Sequence, residues 1–192
     1  MMRFPALLAS AALAMAALPA AALTIYTTTL DQNEPVPTGS PGTGTARVTI
    51  DGTLMRVEAS FSGLLGTTTV SHIHCCTAAA DTGPAGVATT TPTFPGFPAG
   101  VTAGSYDMTF DMTMASSYNP AFITNNGGTA ASAFSALVEG LDAGKAYFNI
   151  HTSEFGGGEI RGFLHAIPEP ETYALMLLGL AAVGLAARRR RN

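Results

Sequence analysis

The chain has 192 residues, enough for one domain with a real hydrophobic core once its two ends are set apart. Its formal net charge is −4, and the acidic bias deepens in the middle, where residues 23–166 carry eleven acidic side chains against four basic ones (Arg47, Arg56, Lys145 and Arg161), a net of −7. That excludes a nucleic-acid partner, since a basic footprint for phosphates is missing, while the lack of tryptophan and the abundance of Thr, Gly, Ala and Ser fit an exported β-protein.

Residues 1–22 hold one basic residue near the start, Arg3, then an alanine-leucine run ending in Ala20, Ala21 and Ala22. This reads as a secretory signal peptide with an A-x-A cleavage site before Leu23. Residues 23–30, rich in β-branched side chains, predict a first strand, and residues 31–44, with Pro35, Pro37 and Pro41, predict a loop. Residues 45–50 and 53–61 alternate polar and apolar around Asp51 and Gly52, a preferred two-residue hairpin turn. A strand over 67–76 sets Val70, His72, His74 and Cys76 on one face, with Ser71, Ile73 and Cys75 on the other. Residues 77–100 form a long proline-containing loop, a feature that in a compact domain is more often functional or mobile.

Residues 105–112 predict a half-exposed strand with Tyr106, Met108, Phe110 and Met112 facing inward. Two short helices are expected, over 120–126 and over 129–141 with Thr129 as N-cap. Residues 146–152 return to period 2, with Tyr147, Asn149 and His151 on one face and Phe148 and Ile150 on the other. Gly156, Gly157 and Gly158 turn the chain into a last strand over 159–164. The fold class is therefore all-β: one domain over 23–166 with seven to nine strands, an antiparallel Greek-key sandwich or flattened barrel of the immunoglobulin-like or superoxide-dismutase-like kind, with one or two short helices. Val48, Val57, Phe61, Phe110, Phe148 and Ile150 are its expected core. Beyond it, residues 167–192 hold Pro168, Glu169 and Pro170, an apolar run over 173–187 and four arginines, Arg188 to Arg191. As a helix the run is roughly 22 Å long, short of the roughly 30 Å hydrocarbon core, so it suits a transient membrane anchor with the arginines in the cytoplasm.

The sharpest chemical pattern is His72, His74 and His151, with Cys76 as an optional fourth member. An H-x-H pair on a strand puts two imidazoles on one face about 7 Å apart, and a third from a neighbouring strand would complete a three-nitrogen site for copper or zinc, with 77–100 as its lid. Convergence requires the strand of His72 and the strand of His151 to be neighbours. The competing expectation is that these histidines are core residues holding no cofactor, each donating a hydrogen bond from one nitrogen and accepting at the other, with Asn149, Thr152 and Arg161 as partners. Cys75 and Cys76 are adjacent, and a bond between neighbours closes a strained ring, so they are expected free, intermolecular or metal-bound. Glu159 and Arg161 should share a face of the last strand, pairing with a ligand or with each other. No nucleophile elbow, phosphate loop or dinucleotide fingerprint is present, so the residues argue against an enzyme.

The segments Ser71 to His74 (SHIH) and Tyr147 to Leu164 (YFNIHTSEFGGGEIRGFL) resemble the CHRD domain, first described in chordin and found in bacterial exported proteins. The chain departs from that pattern in having Cys75 and Cys76 where a glycine-containing turn usually follows HIH, and Gly157 where a proline is frequent. The resemblance implies an extracellular, non-enzymatic binding or structural module whose partner could be an exopolysaccharide or another surface protein. Separately, Pro168, Glu169 and Pro170 with the apolar run and arginine tail resemble the PEP-CTERM sorting signal. This implies cleavage by an exosortase-type enzyme and delivery to the cell surface or extracellular matrix of a Gram-negative bacterium.

Overall fold

The domain is built outward from the hairpin at Asp51 and Gly52, where Gly52 takes the positive φ of 59° that the turn needs. In the computed structural model, which describes residues 23–32, 37–167, 178–180, 183 and 188, this turn joins β2 (Thr43–Asp51) to β3 (Leu54–Ser62). Their register pairs Val48 with Val57 and Ile50 with Met55, so every apolar residue of the hairpin's inner face lands in one layer. On the outer side of β2 lies β1 (Thr24–Leu30), and on that of β3 lies β5 (Gly104–Asp111). A short terminal strand, β8 (His165–Ile167), completes a five-stranded sheet of order β5-β3-β2-β1-β8.

The second sheet contains β4 (Thr68–His74), β6 (Tyr147–Thr152) and β7 (Ile160–Phe163), in the order β4-β6-β7. All the ladders are antiparallel. The sheets form an open sandwich whose core takes Tyr26, Val48, Val57 and Phe110 from one layer and Ile73, Phe148, Ile150 and Ile160 from the other. All six expected core residues are buried, Phe61 included, and each large apolar side chain so buried stabilises the fold by roughly 1.5–3 kcal/mol. An isolated bridge between Asp31 and Arg161 leans the two sheets together along one side.

Two helices fill the connection from β5 to β6. α1 (Pro120–Asn125) opens with Pro120 at its first position and with the Asn119 side chain accepting from the Ala121 amide. α2 (Ala130–Asp142) opens on a capping box between Thr129 and Ser132 and buries Ala133, Leu137 and Leu141.

Two expectations need correction. Met108 has inward parity but is 37% exposed, because β5 is the edge strand and no neighbour covers that side. The strand expected over 159–164 is shorter, and the chain then crosses to the opposite layer as β8, a change of sheet that period-2 alternation does not encode. Among the described residues no helix is long and apolar enough to cross a membrane. The expected signal peptide, the residues Pro168, Glu169 and Pro170, and most of the apolar run lie outside the described residues.

Candidate metal centre

β4 and β6 are neighbours, and their register places His74 opposite Tyr147, His72 opposite Asn149 and Val70 opposite His151. All these side chains leave the same face of the smaller sheet, the face turned away from Ile73, Phe148 and Ile150. The three imidazoles form a nearly equilateral triangle, with ring centroids 5.8 Å (His72 to His74), 5.5 Å (His72 to His151) and 5.6 Å (His74 to His151) apart. One nitrogen from each ring lies within 4.8 Å of the others. An ion bonded at about 2.0–2.1 Å to each of two nitrogens bridges at most about 4.2 Å, so a pair at the 4.8 Å limit would have to approach by about 0.6 Å.

The cluster is buried: relative exposures are 5% for His72, 7% for His74 and 8% for His151. Each ring is fixed by a backbone carbonyl. His72 Nε2 donates to Pro92 O at 2.6 Å, His74 Nδ1 to Ala85 O at 2.9 Å, and His151 Nδ1 to Gly156 O at 2.9 Å. A carbonyl only accepts, so these nitrogens carry the proton and the opposite nitrogen of each neutral ring presents a lone pair. Among the described residues, His72 Nδ1 and His74 Nε2 meet no hydrogen-bond partner, and Asn149 Oδ1 is likewise unpartnered. His151 Nε2 faces Asn149 Nδ2 at 3.4 Å, a long contact, while that amide also donates to Gly157 O at 3.1 Å.

Burial lowers the pKa of all three rings. For His74 it reaches about 4, against the opposing pull of the Ala85 carbonyl and with the charges of His151, His72 and Arg161 acting in the same direction as burial. At neutral pH the cluster is three uncharged imidazoles. Tyr147 stacks on His74 at 4.9 Å, and the Arg161 guanidinium lies over the Tyr147 ring, 4.6 Å from its centroid.

The loop over 77–100 is a strap rather than a free lid. It runs along the outer edge of β4 and is tied there by backbone bonds from Cys75 to Gly86, Ala88 to Ile73, Phe94 to Ser71 and Gly100 to Thr68. It thereby covers an edge strand and supplies the Ala85 and Pro92 carbonyls that orient two of the histidines. Those carbonyls belong to residues whose side chains carry no signal, so the sequence alone does not reveal them.

Cys76 does not join the cluster. β4 ends at His74, so the alternation that would point Cys76 beside the histidines stops, and its Sγ is bonded to Cys75 Sγ with the Ala136 carbonyl of α2 at 3.7 Å. Neither cysteine is free, against the expectation that neighbours would not pair. Glu159 and Arg161 also part company. Glu159 is fully buried just ahead of β7, where its carboxylate accepts from Ser40 Oγ, the Leu65 and Gly66 amides and Thr152 Oγ1. Arg161 instead faces Tyr147, Phe163 and the Gly83 carbonyl. The fourth histidine, His165, pairs with Asp81 at the surface.

Residues 26–164 match the CHRD domain, and residues 166–191 match the PEP-CTERM protein-sorting motif, the stretch that contains Pro168, Glu169 and Pro170. No curated protein and no solved structure matches the chain. The sorting motif marks the protein for processing by an exosortase-type system and for export to the surface of a Gram-negative cell. The CHRD match covers most of the chain and includes both β4 and β6, the strands that carry the three histidines; the chain belongs to the CHRD-domain family.

Proposed function

We propose that this exported protein is a non-enzymatic surface module that binds a copper or zinc ion through His72, His74 and His151. The observation that carries this reading is the pair of buried, donorless nitrogens, His72 Nδ1 and His74 Nε2. A core histidine kept for hydrogen bonding would use both nitrogens, because a buried polar atom without a partner costs about 1–3 kcal/mol. Two such atoms beside a third imidazole, each ring fixed by a carbonyl at its other nitrogen, form the ligand and outer-shell arrangement of a metal site. Elemental analysis of periplasmically expressed wild type, His72→Ala and His151→Ala tests it. Stoichiometric metal in the wild type, lost in both variants with the fold retained, is the expected result; no metal after supplementation would sink the reading.

A second reading, attachment to an exopolysaccharide or another matrix component, draws support from the outer face of the larger sheet. There Thr29, Thr45, Ser60 and Ser105 are opposite one another on four consecutive strands, all exposed. Three of them line a groove of about 580 Å³. A row of hydroxyls spaced by about 4.8 Å offers donors and acceptors to a neutral polymer. Co-sedimentation with the host's purified exopolysaccharide, lost on Thr45→Val with Ser60→Ala, checks it, and unchanged sedimentation in that variant would count against this face.

A further inference from the structure

We propose that the three-histidine centre selects monovalent copper, Cu(I), over divalent ions and holds it three-coordinate; the inference rests on the metal-binding reading above and names the ion. The first ground is charge. The cluster consists of three neutral imidazoles, and among the described residues no carboxylate or thiolate is close enough to join it. The Cys75 and Cys76 sulfurs are bonded to each other against α2, and the Glu159 carboxylate accepts from Ser40, Leu65, Gly66 and Thr152. A cation entering this buried place therefore keeps its whole charge. The cost of taking an ion out of water rises with the square of its charge, so a divalent ion is penalised about four times as heavily as a monovalent one of equal size. Structural zinc sites offset that penalty with thiolates, and many catalytic ones with a carboxylate; this centre has neither.

The second ground is shape. Three imidazole rings stand at the corners of a nearly equilateral triangle of 5.5–5.8 Å between centroids, and one nitrogen of each lies within 4.8 Å of the others. Cu(II) favours four donors in a square or tetragonal plane, and Zn(II) a tetrahedron with a fourth ligand. Asn149 turns its Nδ2 toward His151, and an N–H donor does not ligate a metal. Three converging lone pairs and no fourth anionic donor suit a trigonal Cu(I) ion. In this reading the paired sulfurs have a consequence for selection: with both cysteines removed from coordination, charge and donor number decide which ion is bound.

The test uses protein purified from the periplasm, stripped of metal, and held anaerobically with ascorbate. Cu(I) is offered in competition with a chromophoric cuprous chelator, and Zn(II) in a parallel titration with a zinc chromophore. The expected result is one equivalent of Cu(I) that a tenfold excess of Zn(II) does not displace, about 100-fold weaker in His74→Ala, with X-ray absorption showing three nitrogen neighbours and no sulfur. Asn149→Asp, which puts an anionic oxygen beside His72 and His151, is expected to raise Zn(II) affinity relative to Cu(I) by tenfold or more. Zn(II) binding that survives excess Cu(I), or a sulfur or fourth strong neighbour around copper, overturns the selectivity while leaving a metal site. Failure of both ions to bind overturns the site itself. If Asn149→Asp does not fold, the wild-type competition alone decides.

Discussion

Ser40 Oγ donates to Glu159 Oε1 at 2.5 Å across 119 positions of sequence, the shortest of four bonds that saturate one fully buried carboxylate. Burial by itself would raise the pKa of Glu159, but the donors from Ser40, Leu65, Thr152 and Gly66 outweigh it, and the net direction is down. The carboxylate thus ties the segment before β2 and the turn before β4 to Thr152 at the end of β6. Glu159→Ala strands the Leu65 and Gly66 amides and is expected to lower stability by about 3 kcal/mol, read from urea denaturation. A loss below about 1 kcal/mol would show that water replaces the carboxylate.

The histidines give the metal-free protein a second, separate dependence on pH. Their folded pKa values lie below the ordinary 6.5, with His74 at about 4, so below pH 6.5 the unfolded chain takes up protons that the folded one refuses. Stability is therefore full above about pH 6.5 and falls as the pH drops toward 4, His74 alone contributing on the order of 3 kcal/mol to the loss. Glu159 works lower, since its lowered pKa keeps its contribution intact until the pH falls through the carboxylate range. Thermal melts from pH 7 to 4.5 should show a steady decline in Tm that is shallower in His74→Phe. Parallel slopes would place the proton uptake elsewhere.

Near neutral pH, where that loss has not begun, bound metal should add stability of its own. An ion that binds only the folded chain adds about 2.7 kcal/mol at a free concentration 100 times its Kd. Differential scanning fluorimetry with and without copper is expected to raise Tm in the wild type and to leave His72→Ala unmoved. Equal shifts in both would assign the effect to surface binding.

Gly140 sits on α2 where a Cβ would overlap the Sγ atoms of both Cys75 and Cys76. Elsewhere in a helix, Gly→Ala gains up to about 1 kcal/mol; here the clash should reverse the sign and cost about 1–3 kcal/mol. Guanidinium denaturation of Gly140→Ala decides between them. A higher midpoint would mean that α2 shifts away from the sulfurs at little cost.

The parts of this molecule legible in its sequence are those governed by one strand and its immediate turn. The hairpin at Gly52, the alternation that puts His151 and Asn149 on one face, and the N-cap at Thr129 each follow from neighbouring residues, and each is present. The three histidines could be named because H-x-H on a strand fixes two of them and the alternation around Ile150 fixes the third. What the sequence hides depends on distant partners. The Pro92, Ala85 and Gly156 carbonyls that set the tautomers are main-chain atoms. Glu159 has the alternation of a surface charge, yet receives donors from two remote segments, at Ser40 and at Leu65 and Gly66, besides nearby Thr152. The Cys75 and Cys76 bond went against a general expectation about adjacent cysteines, and Met108 against one about strand parity at a sheet edge.

The sorting motif begins at residue 166, and β8 runs from His165 to Ile167, pairing Ile25, Tyr26 and Thr27 of β1 with Ile167, Ala166 and His165. The strand and the motif therefore overlap at two residues, Ala166 and Ile167. A processing enzyme that needs extended chain on the domain side of Pro168 must peel β8 from β1, and the three residues of β8 are all exposed, so the peeling costs few buried contacts. The last described strand thus holds residues shared by the domain and the sorting motif at the edge of the larger sheet.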